Sequence, residues 1–295
     1  MTSSSAPFWA TLITCAGVLL TLGAAPQKTT FRSRVDAVVV DVLVTHRGKP
    51  VSGLTADDFE LRDEGVRQRI ELSATASNVH VILALDASGS VAGDELNHLK
   101  RATRALTGAL QSGDSASFVS FSRPIRLFAL NATDPAVVDS ALDSVEAGGR
   151  TALLDALYAS IALSAVDAPR SLLLLFSDGG ENASWLSQDS VLESLKRVTV
   201  VVYPIAPPRD TPSRADTLLR QIAETSGGQL LHAGADNKLP SVFVSILNEF
   251  RARYLLTYTP TGVTSRDKWH RITVNLKGKS GRVTARPGYF TSQDR

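Results

Sequence analysis

Hydrophobic residues near the start of the chain follow the spacing of β-strands. In FRSRVDAVVVDVLVTHRGKP, valines recur at every second position from Val38 to Val44, and a Gly and a Pro then supply a turn. Phe59 and Leu61, followed by Ile70 and Leu72, predict two more short strands about the turn DEG. The pattern therefore predicts a small β-rich segment over residues 30–76.

From residue 78 to residue 252 the pattern changes to strand and helix in alternation. Largely apolar runs such as VHVILALD, SLLLLFSD and VTVVVYPIA alternate with segments of helical spacing such as TALLDALYASIALSAV and PSVFVSILNEFRAR. This alternation is typical of a mostly parallel sheet covered by helices on both faces. SASFVSFS and IRLFAL lie too close together for a crossover helix and predict one antiparallel edge hairpin. The predicted fold class is α/β, with a doubly wound sheet.

The last part of the chain returns to strand patterns. YLLTYTP, WHRITVNLK and RVTARPGYF predict a second β-rich segment over residues 253–291. The termini of a domain usually lie close together. We therefore expect segments 30–76 and 253–291 to pack together as one small β-rich domain into which the α/β domain is inserted.

The first 25 residues have the features of an export signal. They carry no charge, are apolar from Phe8 to Leu22, and end on the small residues Gly23, Ala24 and Ala25. We predict a signal peptide over residues 1–25 and an exported protein that is periplasmic, extracellular or at the cell surface. An uncleaved N-terminal anchor is the alternative, and we expect no membrane span in the mature chain. Cys15 is the one cysteine, so the mature chain would have no thiolate metal site.

Charge excludes one class of partner. The formal net charge is +2, and acidic and basic residues are interleaved along the chain. Nucleic-acid binding proteins carry a basic patch or stripe, which this sequence lacks. We therefore expect no nucleic-acid partner.

Oxygen-bearing side chains follow the predicted strands at three places. Asp86, Ser88 and Ser90 follow VHVILAL, Thr151 follows a Gly-Gly turn, and Asp178 follows LLLLFS. In open α/β sheets the carboxyl ends of the strands form the ligand site. Five oxygens without His or Cys favour a hard cation, with Mg²⁺ first and Mn²⁺ or Ca²⁺ as substitutes. In the alternative interpretation, Asp86 caps a helix and the serines bind turn amides.

These three segments carry a family resemblance. DASGS, GGRTALLDAL and LLLFSDGGEN resemble the three parts of the metal-ion-dependent adhesion site (MIDAS) of von Willebrand factor type A (VWA) domains, and all five positions match. The resemblance implies that Ser88 and Ser90 bind the ion directly, that Thr151 joins when ligand is bound, and that Asp86 and Asp178 bind directly or through water. Arg150 departs from the pattern, because a small residue is usual there.

The flanking segments carry a narrower resemblance. DVLVTHRGKPVSGLTADDFELRDEG, RYLLTYTP and RVTARPGYF are similar to bacterial, acidobacterial-type exported proteins related to VWA domains. This resemblance covers nearly the whole mature chain. It bears on localisation and architecture more than on activity.

The ligand set favours binding over catalysis. Neutral hydroxyls leave much of a cation's charge uncompensated, which favours a carboxylate from an Asp or Glu of a protein partner. The chain shows no catalytic motif, so we predict an adhesion or interaction module that is not an enzyme. The alternatives are a Mg²⁺-dependent hydrolase using Asp86 and Asp178, and a scaffold that the metal merely stabilises.

Three residues near the predicted site have open roles. Arg150 and Trp185 are candidates for a partner-binding rim, although Trp185 could equally pack against the sheet. Asp155 is either a second acid beside the metal or an acid that stabilises the helix dipole.

Overall fold

The N-terminal strands form as the alternating pattern predicts. The structure is a computed structural model that describes residues 37–73, 78–164, 170–207, 211, 213–233, 238–265 and 267–291. The predicted signal peptide and Cys15 lie outside these residues. The first five strands are β1 (Val38–His46), β2 (Lys49–Pro50), β3 (Phe59–Asp63), β4 (Val66–Arg67) and β5 (Glu71–Ser73).

The hairpin after β3 differs from the predicted one. Glu64 and Gly65 have φ values of 47° and 81°, and a two-residue turn with both φ angles positive brings the chain directly back. Asp63 therefore pairs with Val66, and the returning strand is β4. Leu72 lies in β5, which belongs to a different sheet, and Ile70 lies in neither strand.

The central region forms a six-stranded sheet with helices on both faces. Its strands are β6 (His80–Asp86), β7 (Ser115–Phe121), β8 (Ile125–Ala132), β9 (Ser171–Phe176), β10 (Val200–Ala206) and β11 (Leu231–His232). The order is β11-β10-β9-β6-β7-β8, and every pair is parallel except β7 with β8, which forms the edge. The α/β fold class is confirmed.

Six helices in the described residues cover this sheet. They are α1 (Asp94–Thr107), α2 (Pro135–Asp143), α3 (Leu153–Ser164), α4 (Gln188–Lys196), α5 (Arg214–Ser226) and α6 (Leu239–Arg251). Side chains alternate between the two faces of a strand, so Val81 and Leu83 pack with α1, α2 and α6. Ile82 and Ala84 pack with α3, α4 and α5 on the other face. Both faces of β6 are therefore buried.

Strands from both ends of the chain share two antiparallel sheets. The last four strands are β12 (Tyr254–Tyr258), β13 (Trp269–Leu276), β14 (Arg282–Ala285) and β15 (Gly288–Phe290). One sheet has the order β14-β1-β12-β5, with β2 beside β1, and the other has the order β15-β13-β3-β4. Val40, Phe59, Leu256 and Ile272 contribute to a hydrophobic cluster shared by the two sheets.

The segment RVTARPGYF forms two strands where one was predicted. β14 pairs with β1, whereas β15 pairs with β13 in the other sheet. Pro287 separates them, and it has no N–H group to continue a ladder. Arg286 holds this crossing point, because its guanidinium donates to the carbonyls of Lys196 and Val198 at 2.6 and 3.1 Å.

A buried charge cluster joins the α/β region to the flanking strands. Arg253 is fully buried, and its guanidinium pairs with the Asp41 carboxylate of β1. It also donates to Tyr203 Oη of β10 at 3.0 Å and to the Gly227 carbonyl at 2.6 Å. Arg170 donates to Asp41 at 3.0 Å. The Asp41 carboxylate therefore accepts hydrogen bonds from two arginines at this junction.

The start of β6 carries a histidine that predicts a pH dependence of stability. His80 is buried, its Nε2 lies 2.9 Å from Ser117 Oγ, and its Nδ1 has no hydrogen-bond partner in the described part of the chain. Burial lowers the pKa of His80 below its usual 6.5. The unfolded chain therefore binds a proton first as the pH falls, so the free energy of unfolding decreases below about pH 6.5.

We expect His80→Gln to flatten this part of the stability profile. The slope that it removes is at most about 1.4 kcal/mol per pH unit. Urea unfolding of both proteins between about pH 5 and 8 measures it. An identical slope in the variant would assign the pH dependence to other groups.

Candidate metal centre

The three predicted segments meet at one edge of the sheet. Asp86 is the last residue of β6, and β9, its parallel neighbour, ends immediately before Ser177 and Asp178. The segment GGRTALLDAL is tied to DASGS by backbone hydrogen bonds, from Gly148 N to Ala87 O at 2.8 Å and from Gly89 N to Gly149 O at 3.0 Å. Parallel strands with common carboxyl ends thus bring together residues that lie far apart in sequence.

Asp86 is a buried carboxylate with a donor on each oxygen. Ser88 N donates to Oδ1 and Ser177 Oγ donates to Oδ2, both at 2.8 Å. Burial raises the pKa of Asp86, and the nearby charge of Asp178 acts in the same direction, whereas the bonds from Ser88 and Ser177 oppose the shift. A cation stabilises two carboxylates that repel each other, here the buried Asp86 and the half-buried Asp178.

The two serines after Asp86 lie on the same side of their turn. Ser88 is buried, Ser90 is exposed, and their Oγ atoms are 3.1 Å apart. A short 3₁₀ helix over Gly89–Val91 holds this spacing. The arrangement places two neutral oxygens beside the Asp86 carboxylate.

Thr151, in the segment GGRTALLDAL, is bonded to the loop after β9. It is buried, its N–H donates to Asn182 Oδ1 at 2.9 Å, and its carbonyl accepts from Asn182 N at 3.1 Å. The N–H of the next residue, Ala152, donates to Ser122 O at 3.0 Å. Thr151 therefore lies in the same cross-linked region as Asp86 and Asp178.

Asp178 lies in a tight turn that needs glycine. Its Oδ1 accepts from Gly180 N at 2.7 Å. The intervening Gly179 has a φ of 74°, and a Cβ there would lie 2.7 Å from Ala215 Cβ. A side chain at residue 179 would therefore strain the backbone and collide with α5.

Sequence reasoning missed two residues that organise this region. Ser177 is buried, donates to Asp86 and accepts from Gly179 N at 3.0 Å. Glu181 accepts from Leu154 N at 2.9 Å and so binds an N–H at the start of α3. The hydroxyl at the end of SLLLLFS was the one signal for Ser177, and no local pattern indicates Glu181.

The donor chemistry fits a hard divalent cation. Carboxylate and hydroxyl oxygens are the ligands that Mg²⁺, Mn²⁺ and Ca²⁺ accept. Among the residues that the structure describes, no group of three or more His, Cys, Asp or Glu side chains is placed to hold a metal. A metal at this edge would therefore depend on the hydroxyl oxygens of Ser88, Ser90 and Thr151 as well as on the two aspartates.

The structure shows the surroundings of Trp185, Asp155 and Arg150. Trp185 is 92% exposed, so it does not pack against the sheet. Asp155 accepts hydrogen bonds from Trp185 N and Leu186 N, both at 2.9 Å, and so fastens the loop after β9 to α3. Arg150 is exposed, and its guanidinium donates to the Asn182 carbonyl.

Comparison with known protein families identifies the α/β region. The model for the von Willebrand factor type A domain matches residues 80–243, which is more than half of the chain. The protein therefore belongs to the von Willebrand factor type A family. A comparison with functionally curated proteins finds no statistically significant match.

Solved structures share this fold at low sequence identity. A von Willebrand factor type A structure from Catenulispora acidiphila is 15% identical with a TM-score of 0.53, over 85% of this chain and 76% of that one. Proximal thread matrix protein 1 from the mussel byssus, solved with a zinc-occupied MIDAS motif, is 16% identical with a TM-score of 0.50. That match covers 63% of this chain and 49% of the mussel protein, so the chain spans about half of its length. These identities establish the fold alone.

Within the described ranges, no helix is both long and apolar enough to cross a membrane.

Proposed function

We propose that this protein is an exported binding module that holds a divalent cation at Asp86, Ser88, Ser90, Thr151 and Asp178. The observation that carries the proposal is the convergence of these five residues on one cross-linked edge of the sheet. Mg²⁺ is the first choice, with Mn²⁺ or Ca²⁺ as substitutes, because the donors are hard oxygens. The zinc-occupied MIDAS motif of the mussel protein supports a metal at this place in the fold.

The proposed partner is a protein that presents an Asp or Glu. When bound, the cation supplies an open coordination position that accepts a carboxylate oxygen from outside the chain. The residues of this chain position the two serine hydroxyls, keep Asp86 buried and fix Thr151 through Asn182. The three neutral hydroxyls leave positive charge for the partner's carboxylate to balance.

We propose that the protein is not an enzyme. The two other acids near Thr151 are engaged in holding backbone, which leaves them poorly placed to act as bases. Glu181 accepts from Leu154 N, Ala183 N and Ser184 N, and Asp155 accepts from Trp185 N and Leu186 N. This occupancy favours binding over metal-assisted hydrolysis.

The proposal extends to the flanks and to localisation. The pairing of β1 with β12 and β14 supports one β-rich domain made of segments 30–76 and 253–291. The apolar start of the chain supports an export signal over residues 1–25. The grouping with acidobacterial-type exported proteins rests on the sequence resemblance of the flanking segments.

Thermal unfolding with and without metal tests the proposal. A cation at about one hundred times its Kd stabilises the folded state by about 2.7 kcal/mol. For a chain of this size the melting temperature should rise by roughly 5 °C or more. Mg²⁺, Mn²⁺ and Ca²⁺ are compared with chelator, and no shift with any of them would exclude a structural cation site. A peptide bearing one Asp should then bind in metal and be released by chelator, whereas its Asn counterpart should not bind.

A further inference from the structure

Trp185 is exposed to an unusual degree beside the proposed metal site. At 92% exposure it exceeds the other large apolar side chains on the described surface, of which Leu130 is next at 52%. Trp is enriched among the residues that carry binding energy at protein interfaces. Whether Trp185 can serve an interface depends on how its backbone is held and on the residues around it.

The backbone that carries Trp185 is held firmly. Asp155 of α3 accepts from the N–H groups of Trp185 and Leu186 at 2.9 Å. Glu181 accepts from Ser184 N at 2.9 Å and from Ser184 Oγ at 2.7 Å, and Ser184 Oγ accepts from Leu154 N at 3.1 Å. Two carboxylates thus fix the loop on both sides of the indole. A side chain presented on a rigid backbone loses little entropy on binding.

The position of Trp185 relates it directly to the proposed metal site. Asn182 is bonded to Thr151 at both its backbone and its side chain, and Trp185 follows Asn182 by three residues. Three residues span at most about 11 Å, so the indole starts within that distance of Asn182. Tyr158, which is 47% exposed, lies one helical turn beyond Asp155 on the same side of α3. Both exposed aromatic residues are therefore linked to Asp155, Trp185 through its N–H and Tyr158 through its place on α3.

Charge favours an acidic segment of the partner. The exposed guanidinium of Arg150 precedes Thr151 and is anchored to the carbonyl of Asn182. Its remaining donors match a carboxylate better than a basic or neutral group. Arg150, Trp185 and Tyr158 are all exposed, and we call these three residues the aromatic rim.

We propose that the partner presents an acidic residue together with a bulky apolar or aromatic side chain, which packs on Trp185 and Tyr158. This inference rests on the proposed function, because the partner's carboxylate occupies the metal site while its apolar side chain covers the aromatic rim. The metal requires only a carboxylate, which any exposed Asp or Glu provides. The aromatic rim then selects among acidic partners, since burying an indole needs a matching apolar surface.

Selection of peptides from a random library tests the inference. The library, displayed on phage, is bound to the Mg²⁺-loaded full chain and eluted with chelator. We expect the eluted peptides to share an Asp or Glu with an apolar or aromatic residue at a fixed spacing. Trp185→Ser should bind the consensus peptide at least about 30-fold more weakly, which equals about 2 kcal/mol and is the loss expected of a central interface residue.

Two controls separate the aromatic rim from the fold. Leu130→Ser removes a large exposed apolar side chain near the opposite end of β8 from Ile125, which pairs with Phe121 at the metal edge. It should bind the peptide as the wild type does. Trp185→Ser should keep the wild-type melting temperature and its metal-dependent shift, because the carboxylates that hold the loop contact backbone N–H groups and not the indole.

The outcomes distinguish the inference from the function on which it rests. Peptides that share only an acidic residue, or equal binding by Trp185→Ser, would overturn the aromatic rim and leave the metal-dependent module standing. A selection without chelator-sensitive peptides would overturn both. A blue shift of tryptophan fluorescence with anionic phosphatidylserine vesicles that Trp185→Ser abolishes, and none with the consensus peptide, would assign the indole to a lipid surface and reject the protein partner.

Discussion

Asp86→Asn is expected to weaken Mg²⁺ binding by more than about a hundredfold, because even replacing a residue that only holds a metal ligand in place lowers metal affinity by up to that much. Asparagine has the same shape as aspartate but lacks its charge. The variant therefore removes the buried negative charge that attracts the cation. Isothermal titration calorimetry of the metal-free protein with Mg²⁺ measures the loss directly.

The same variant should fold as the wild type does in chelator. Its amide oxygen still accepts from Ser88 N, and its amide nitrogen faces Ser177 Oγ, which has a second lone pair beside the one used by Gly179 N. We expect the free energy of unfolding without metal to change by no more than about 1 kcal/mol. Asp143→Asn, which alters an exposed carboxylate paired with Arg104, is the matched control and should bind Mg²⁺ normally. Equal affinities for Asp86→Asn and wild type would refute the assignment of Asp86 as a ligand.

Arg253→Met is expected to lower the free energy of unfolding by about 3–5 kcal/mol, the usual cost of removing one partner of a buried ion pair. Burial alone would lower the pKa of Arg253, but the charges and hydrogen bonds of Asp41 and Tyr203 together outweigh burial and raise the pKa. Methionine leaves Asp41 with Arg170 as its remaining partner and leaves the Gly227 carbonyl without its guanidinium donor. Denaturant unfolding in chelator measures the loss without any contribution from metal.

A surface pair provides the comparison for Arg253. Arg104→Met breaks the exposed pair with Asp143, and such pairs contribute about 0–1 kcal/mol. If both variants lost similar stability, Arg253 would contribute no more than a surface charge. The result would then show that the α/β region and the flanking strands are held together mainly by apolar contacts.

Much of the fold could be predicted because burial leaves a local record in the sequence. VHVILALD is apolar from Val81 to Leu85 because β6 is covered on both faces, and the valines at every second position from Val38 to Val44 lie on the strand face that joins a hydrophobic cluster. The edge hairpin of β7 and β8 followed from the short connection between them. The hairpin after β3 was predicted with the wrong return strand, because a turn with two positive φ angles determines the register and hydrophobic spacing does not.

The residue types of the candidate site could be predicted from the sequence, but the residues that hold them in place could not. Asp86, Ser88 and Ser90 lie close in sequence, so their spacing is visible along the chain. Ser177 bonds to Asp86 across 91 positions, and Asn182 bonds to Thr151 across 31. Such contacts depend on which strands become neighbours, and local spacing contains no information on that order.

The linear pattern of the chain was enough to establish the α/β class, the strand ends that carry oxygen-bearing side chains, and the residue types that suit a hard cation. Folding in three dimensions established the rest. It seated Asp41 between Arg170 and Arg253, split RVTARPGYF between two sheets, and turned Trp185 outward on a loop held by Asp155 and Glu181. The physical reason is that burial periodicity is set by a residue's own backbone, whereas charge pairing and exposure depend on segments that meet only in the folded chain.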